Sequence, residues 1–68
     1  MYQYFKKLTS GKTLPMAATS KETGENVIIE CGNDGEQNFY KVTTSQENGW
    51  LRINTYYADG SIDETFKR

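Results

Sequence analysis

The chain reads as a small all-β domain: an antiparallel up-and-down meander of about six strands, folded into a strongly curved sheet or partly open barrel. Three observations predict it. Glycines at 11, 24, 32, 35, 49 and 60 punctuate the chain. The runs between them are rich in β-branched and aromatic residues, which suit a half-buried pleated surface. Three dipeptides, Asp34-Gly35, Asn48-Gly49 and Asp59-Gly60, are hairpin signals, and as two-residue loops they gather apolar residues on one common face.

The strands are expected at about 26–32, 37–46, 50–58 and 61–67. Asp59-Gly60 as a two-residue loop pairs 57 with 62 and 53 with 66. Leu51, Ile53, Thr55 and Tyr57 then lie beside Ile62, Glu64 and Phe66. A three-residue loop with a bulge would pair 57 with 61 and set Ser61, Asp63 and Thr65 there instead. A one-residue slip turns every side chain over, so hydrophobic matching favours the first register. By the same rule Asn48-Gly49 pairs 44 with 53 and 40 with 57, and Asp34-Gly35 pairs 29 with 40 and 27 with 42. Val27, Ile29, Cys31, Tyr40, Val42 and Thr44 then join the same inner face. Three turns that agree on one surface are a mark of a foldable sequence.

The first 25 residues are read from weaker signals. The polar stretch 19–25 closes a hairpin with 20 opposite 25, which sets Leu14, Met16 and Ala18 near Cys31, Ile29 and Val27. Pro15 has no N–H to give, so a strand over 12–19 should bend or bulge there. Residues 1–10 are read as a first strand, turned at Ser10-Gly11. The alternative is α+β, with an N-terminal helix on a four- to five-stranded meander. Met1, Tyr4, Phe5 and Leu8 recur at helical spacing and Gly11 is a helix stop.

Sixty-eight residues form one domain, 1–68, with a thin core. Eight basic and nine acidic residues leave a net charge of −1, so no global field draws in nucleic acid or anionic membrane. Cys31 is the lone cysteine, which excludes an intrachain disulfide and a thiolate zinc cluster. A small domain without staples points to a reducing cytoplasm. No apolar run approaches the length of a membrane span.

Little chemistry is expected. The chain has no histidine, which removes the commonest general base and metal ligand. Cys31 falls on the inner face as a small hydrophobe. Asp63 and Glu64 are adjacent in a strand and point to opposite faces. Glu22, Glu25, Asp34, Glu36 and Glu47 sit in or beside turns, as solvated charges do. Glu64 alone projects onto the apolar face, at a rim or as a charge that blocks edge pairing. Ser10-Gly11-Lys12-Thr13 imitates the end of a phosphate-binding loop, but Lys6 stands where its first glycine belongs. Asn33-Asp34-Gly35 is a fragment of a calcium loop without its later ligands. No catalytic residue, metal or cofactor is assigned.

The remaining clue is the second face. The two-residue registers gather Ile28, Phe39, Lys41, Trp50, Arg52 and Tyr56 on the outer side of the sheet. Aromatics with arginine and lysine are the preferred anchors of protein interfaces. The expectation is a non-enzymatic binding module that uses these six residues for protein–protein contact or homodimerisation. The alternative is single-stranded nucleic acid stacked on the same aromatics, with the cations following phosphates.

Overall fold

The computed structural model describes residues 1–21 and 23–68. A helix, α1 (Tyr2–Leu8), precedes five strands: β1 (Met16–Thr19), β2 (Asn26–Asn33), β3 (Asn38–Ser45), β4 (Leu51–Tyr57) and β5 (Ile62–Lys67). The strands form one antiparallel sheet in chain order. Its edge strands β1 and β5 do not pair, so it stays open and is not a barrel. Residues 2–8 are thus helix where a sixth strand was expected, and the α+β alternative describes the fold. The polar loop expected over 19–25 includes Glu22, which lies outside the described residues.

The helix has a physical reason. A strand at 1–10 would have had to pair with the segment holding Pro15, whose nitrogen cannot donate. As a helix the segment satisfies its backbone internally and turns Phe5 onto the sheet. Seven residues are too few to hold a helix alone, so tertiary contacts secure it. Phe5 is buried. Lys6 and Lys7 sit in the last turn, where cations complement the helix dipole. Thr9 closes the helix: its N–H and its hydroxyl both donate to the Phe5 carbonyl, at 2.9 and 2.7 Å.

The core is small. Phe5, Ile29 and Val42 are buried, with Leu8, Leu14, Met16, Val27, Tyr40 and Tyr56 packed around them. Burying each large apolar side chain contributes about 1.5–3 kcal/mol. All of these residues lie on one side of the sheet, the side that carries α1. Cys31 shares that side, opposite Tyr40, but is exposed at the end of β2.

The registers decide the faces. The β1–β2 pairing is as expected, with Met16 opposite Ile29 and Ala18 opposite Val27. The strand begins just after Pro15, which shortens it rather than bulging it. The β2–β3 connection is a four-residue loop that pairs Asn33 with Asn38 and Ile29 with Val42. That is a slip of two from expectation, so the faces of β2 and β3 are preserved.

The next two hairpins slip by one. Gln46 N–H donates to Trp50 O at 2.9 Å, closing the three-residue loop Glu47-Asn48-Gly49. Tyr57 N–H donates to Ser61 O at 2.9 Å, closing Ala58-Asp59-Gly60. Tyr40 therefore faces Tyr56, and Val42 faces Asn54. Tyr56 faces Ile62, and Arg52 faces Phe66. The cause is backbone conformation. A two-residue type I′ turn needs both central residues at positive φ. Among the described residues only glycines adopt it, with Gly49 at 86° and Gly60 at 93°. Asn48 and Asp59 stay in the ordinary region, and each loop takes one more residue.

β4 is consequently turned over relative to expectation. Leu51, Ile53, Thr55 and Tyr57 lie on the side away from α1, while Arg52, Asn54 and Tyr56 lie on the α1 side. The second slip turns β5 back, so Ile62, Glu64 and Phe66 share the α1 side as expected. Glu64 meets Asn54 there rather than Thr55, and Asn54 Nδ2 donates to Glu64 Oε2 at 3.2 Å.

Candidate functional site

The six residues expected to form one surface are divided. Ile28, Phe39 and Lys41 lie on the face away from α1. Arg52 and Tyr56 lie on the α1 side, and Trp50 lies just before β4, outside the paired residues. Tyr56 is part of the core, with its ring 4.9 Å from that of Phe5. Trp50 sits at the foot of β4 with the Arg68 guanidinium 5.8 Å from its ring centroid, a cation–π contact. Arg52 stands between Thr44 and Phe66.

The face away from α1 is continuous across the sheet. Because opposite residues of antiparallel strands share a face, it can be read in rows. One row runs Ala17, Ile28, Thr43, Ile53, Thr65. The next runs Glu30, Lys41, Thr55, Asp63. At one end of the strands Gly32, Phe39 and Tyr57 stand side by side, and at the other end Leu51 lies between Ser45 and Lys67. Its aliphatic members are Ile28, Leu51 and Ile53, and Ile28 is 48% exposed. The helix and Leu14 both pack on the opposite side, so this face has neither as cover.

The aromatic end is built around a glycine. A β-carbon at Gly32 would lie 2.6 Å from Cζ of Phe39, so the Phe39 ring rests over the bare backbone of Gly32. Phe39 then meets Tyr57 edge-on, at 5.8 Å between centroids, an arrangement aromatic quadrupoles favour. The Tyr57 hydroxyl donates to Asp63 Oδ2 at 3.1 Å. That hydrogen bond stabilises the neutral phenol and raises the Tyr57 pKa above its ordinary value.

The turns beside this end carry ionised carboxylates. Asp34 Oδ1 accepts the N–H groups of Gln37 and Glu36, each at 2.9 Å, and these bonds lower its pKa. Asp59 Oδ1 accepts the hydroxyl and the N–H of Ser61, at 2.6 and 2.9 Å, which lowers its pKa likewise. The two turns are tied together, because Asp59 N–H donates to the Gln37 side chain at 3.0 Å and Ala58 N–H donates to Asn38 O at 3.0 Å. These carboxylates are satisfied by local backbone, which is what turn aspartates do. Among the described residues no group of three or more His, Cys, Asp or Glu is placed to hold a metal, and no helix is long and apolar enough to cross a membrane.

No protein-family model, no curated protein and no solved structure compared with this chain matches it.

Leu51, Ile53 and Tyr57 belong to the open face, whereas hydrophobic matching alone puts them on the inner one. The signal that locates them is in the turns. Asn48 Oδ1 accepts Trp50 N–H at 3.0 Å, and Asp59 Oδ1 accepts Ser61 N–H at 2.9 Å. An Asx side chain that caps the N–H two residues on favours an ordinary turn followed by a left-handed glycine. Both loops share that pattern.

Proposed function

We propose that this chain is a non-enzymatic binding module that docks a protein partner on the open face of its sheet. Ile28, Ile53 and Leu51 supply apolar contact area, Phe39 and Tyr57 anchor one end, and Lys41 orients the partner from between Glu30 and Thr55. The observation that carries this reading is surface area. The chain exposes 4979 Å², whereas a folded monomer of this size typically exposes about 4,400 Å². That excess of roughly 600 Å² is shared between this uncovered face, where Ile28 is exposed, the helix residues Met1 and Tyr4, and the edge strand with Ile62 and Phe66. A radius of gyration of 11.9 Å, against about 11 Å for a compact chain of this length, agrees with a sheet covered on one side only.

The composition of the face favours protein over nucleic acid. Its cations Lys41 and Lys67 are matched by Glu30 and Asp63 on the same face, which leaves no net positive groove for phosphates. Phe39 and Tyr57 pack against each other edge-on rather than presenting parallel platforms for bases. Arg52 and Tyr56, which a nucleic-acid surface would also have used, face the other way.

Ile53→Glu tests the proposal by placing a charge mid-face, away from the Phe5 core. A partner that the wild-type chain retains should be lost by this variant, and Tyr4→Ala on α1 should leave retention unchanged. Equal retention by the wild-type and Ile53→Glu chains, with circular dichroism showing both folded, contradicts it. Quenching of Trp50 by oligonucleotides in a salt-dependent way would replace it with the nucleic-acid reading.

A further inference from the structure

We propose that β5 is a self-pairing edge: a second copy of this chain adds its own β5 antiparallel to the first, around a two-fold axis at Thr65. This surface is distinct from the open face.

The sheet has two edges, and they differ. β1 is four residues long and follows directly on Pro15, which are two of the devices that protect an edge. β5 runs six residues with no proline, glycine or bulge, and all six are exposed. Its register against β4 is unbroken from Leu51–Lys67 to Tyr56–Ile62. Its charged side chains Asp63, Glu64 and Lys67 discourage pairing with most strands, but the edge still presents a row of unpaired N–H and C=O groups, a template for a strand of matching charge.

The hydrogen bond from Tyr57 N–H to Ser61 O sets which groups those are. Antiparallel ladders bond on alternate residues. Ser61, Asp63, Thr65 and Lys67 therefore direct their backbone groups to β4, and Ile62, Glu64 and Phe66 direct theirs to the free edge.

The sequence of β5 selects the partner. A two-fold perpendicular to the sheet keeps each face with its like, so the axis falls on a residue. Centred on Asp63 or Glu64, it sets a carboxylate against itself. Centred on Phe66, it sets Lys67 opposite Thr65 and takes it away from Asp63. Centred on Thr65, it sets Asp63 opposite Lys67 twice and Thr65 opposite Thr65 on the open side. On the α1 side it sets Ile62 opposite Arg68 and Glu64 opposite Phe66. There the two copies of Phe66 are diagonal neighbours, and each Glu64 is diagonal both to the other Glu64 and to the other chain's Arg68, whose cation offsets that like-charge contact. The pairing also accounts for Ile62 and Phe66, which are 53% and 51% exposed on the α1 side beyond the helix. The strand complementary to β5 is β5 itself, which is the requirement of an isologous two-fold contact. The result is a ten-stranded sheet with both open faces on one side and both helices on the other.

Charge reversal tests this. Sedimentation should find the wild-type chain dimeric. Asp63→Lys and Lys67→Asp should each weaken the dimer about tenfold, since each turns two attractive pairs into repulsive ones. An equimolar mixture of the two variants should restore a dimer, because both pairs then become opposite in sign again. Asp63→Lys also loses the Tyr57 hydrogen bond, so near-ultraviolet circular dichroism must show it folded. Lys67→Asp, opposite Leu51, reads the same pairing without that loss. Ile53→Glu should leave the dimer intact, which separates this edge from the open face. A wild-type chain monomeric at millimolar concentration overturns the proposal. So does a dimer indifferent to both reversals, or a mixture that stays monomeric.

Discussion

The ring of Tyr56 packs on the ring of Phe5, with centroids 4.9 Å apart and planes inclined by 32°. This contact ties the N-terminal helix to the fourth strand and gives the sheet its two unequal sides. Tyr40 joins it, 6.3 Å from Phe5 and 5.1 Å from Tyr2. The side that holds this cluster is the core, and the helix does not cover the other side.

Phe5→Ala should remove most of the stability. Truncating a buried phenylalanine costs about 3–5 kcal/mol, and a domain of this length holds only about 3–10 kcal/mol in total. Urea denaturation should find the variant largely unfolded or its midpoint greatly lowered. A midpoint shifted by a few tenths of a molar would show that the helix does not anchor the fold.

Gly32→Ala should destabilise by about 1–3 kcal/mol, the usual cost of overpacking, because the new methyl occupies the place of the Phe39 ring. The cost should fall sharply in a Phe39→Ala background, since the ring is then absent. Thermal melts of the four chains give the coupling directly. Additive effects would mean that Phe39 does not rest on Gly32.

Acid should act through the turns. Asp34 and Asp59 have folded-state pKa values below their ordinary 3.8. Each thus contributes stability that is present above 3.8 and lost as pH falls below it through the folded value. Asp34→Asn keeps an oxygen to accept the N–H groups of Glu36 and Gln37 but cannot titrate. Its stability, measured by urea titration from neutral pH to pH 2, should decline less than that of the wild-type chain. Parallel declines would contradict the assignment.

Base should act through Tyr57. Its folded pKa is raised above 10.0 by the hydrogen bond to Asp63, so the stability it contributes is present below 10.0 and lost as pH rises through the folded value. Asp63→Asn should bring the phenol back toward its ordinary titration, read by ultraviolet absorbance. An unchanged titration would show that the hydrogen bond is not made in solution.

The sequence showed the strand content, the meander order and the β1–β2 register because these follow from glycine spacing and from residues whose burial preference is one-sided. Ile29 and Val42 have no alternative to the core. The faces of β4 were not legible from hydrophobicity, because Leu51-Arg52-Ile53-Asn54-Thr55-Tyr56-Tyr57 carries apolar residues on both alternations. Hydrophobic matching puts Leu51 and Ile53 in the core, but the turn backbone sets the register. Asn48 and Asp59 keep negative φ, and one added loop residue outweighs the pattern of seven strand residues. The helix was visible as spacing at Tyr4, Phe5 and Leu8, but so was a strand. What separates them is Pro15, which makes a poor pairing partner and is far from the segment it affects. Half of the expected site, Ile28, Phe39 and Lys41, stands together because β2 and β3 slipped by an even number. Arg52 and Tyr56 turned over with β4.

The division of the aromatics between the two faces is the centre of this account, and a nuclear Overhauser spectrum of the ring protons tests it most directly. Phe5 should show cross-peaks to Tyr40 and Tyr56 and none to Tyr57, while Phe39 should show them to Tyr57. Cross-peaks from Phe5 to Tyr57 or Ile53 would place β4 the other way over and remove the open face described for this protein.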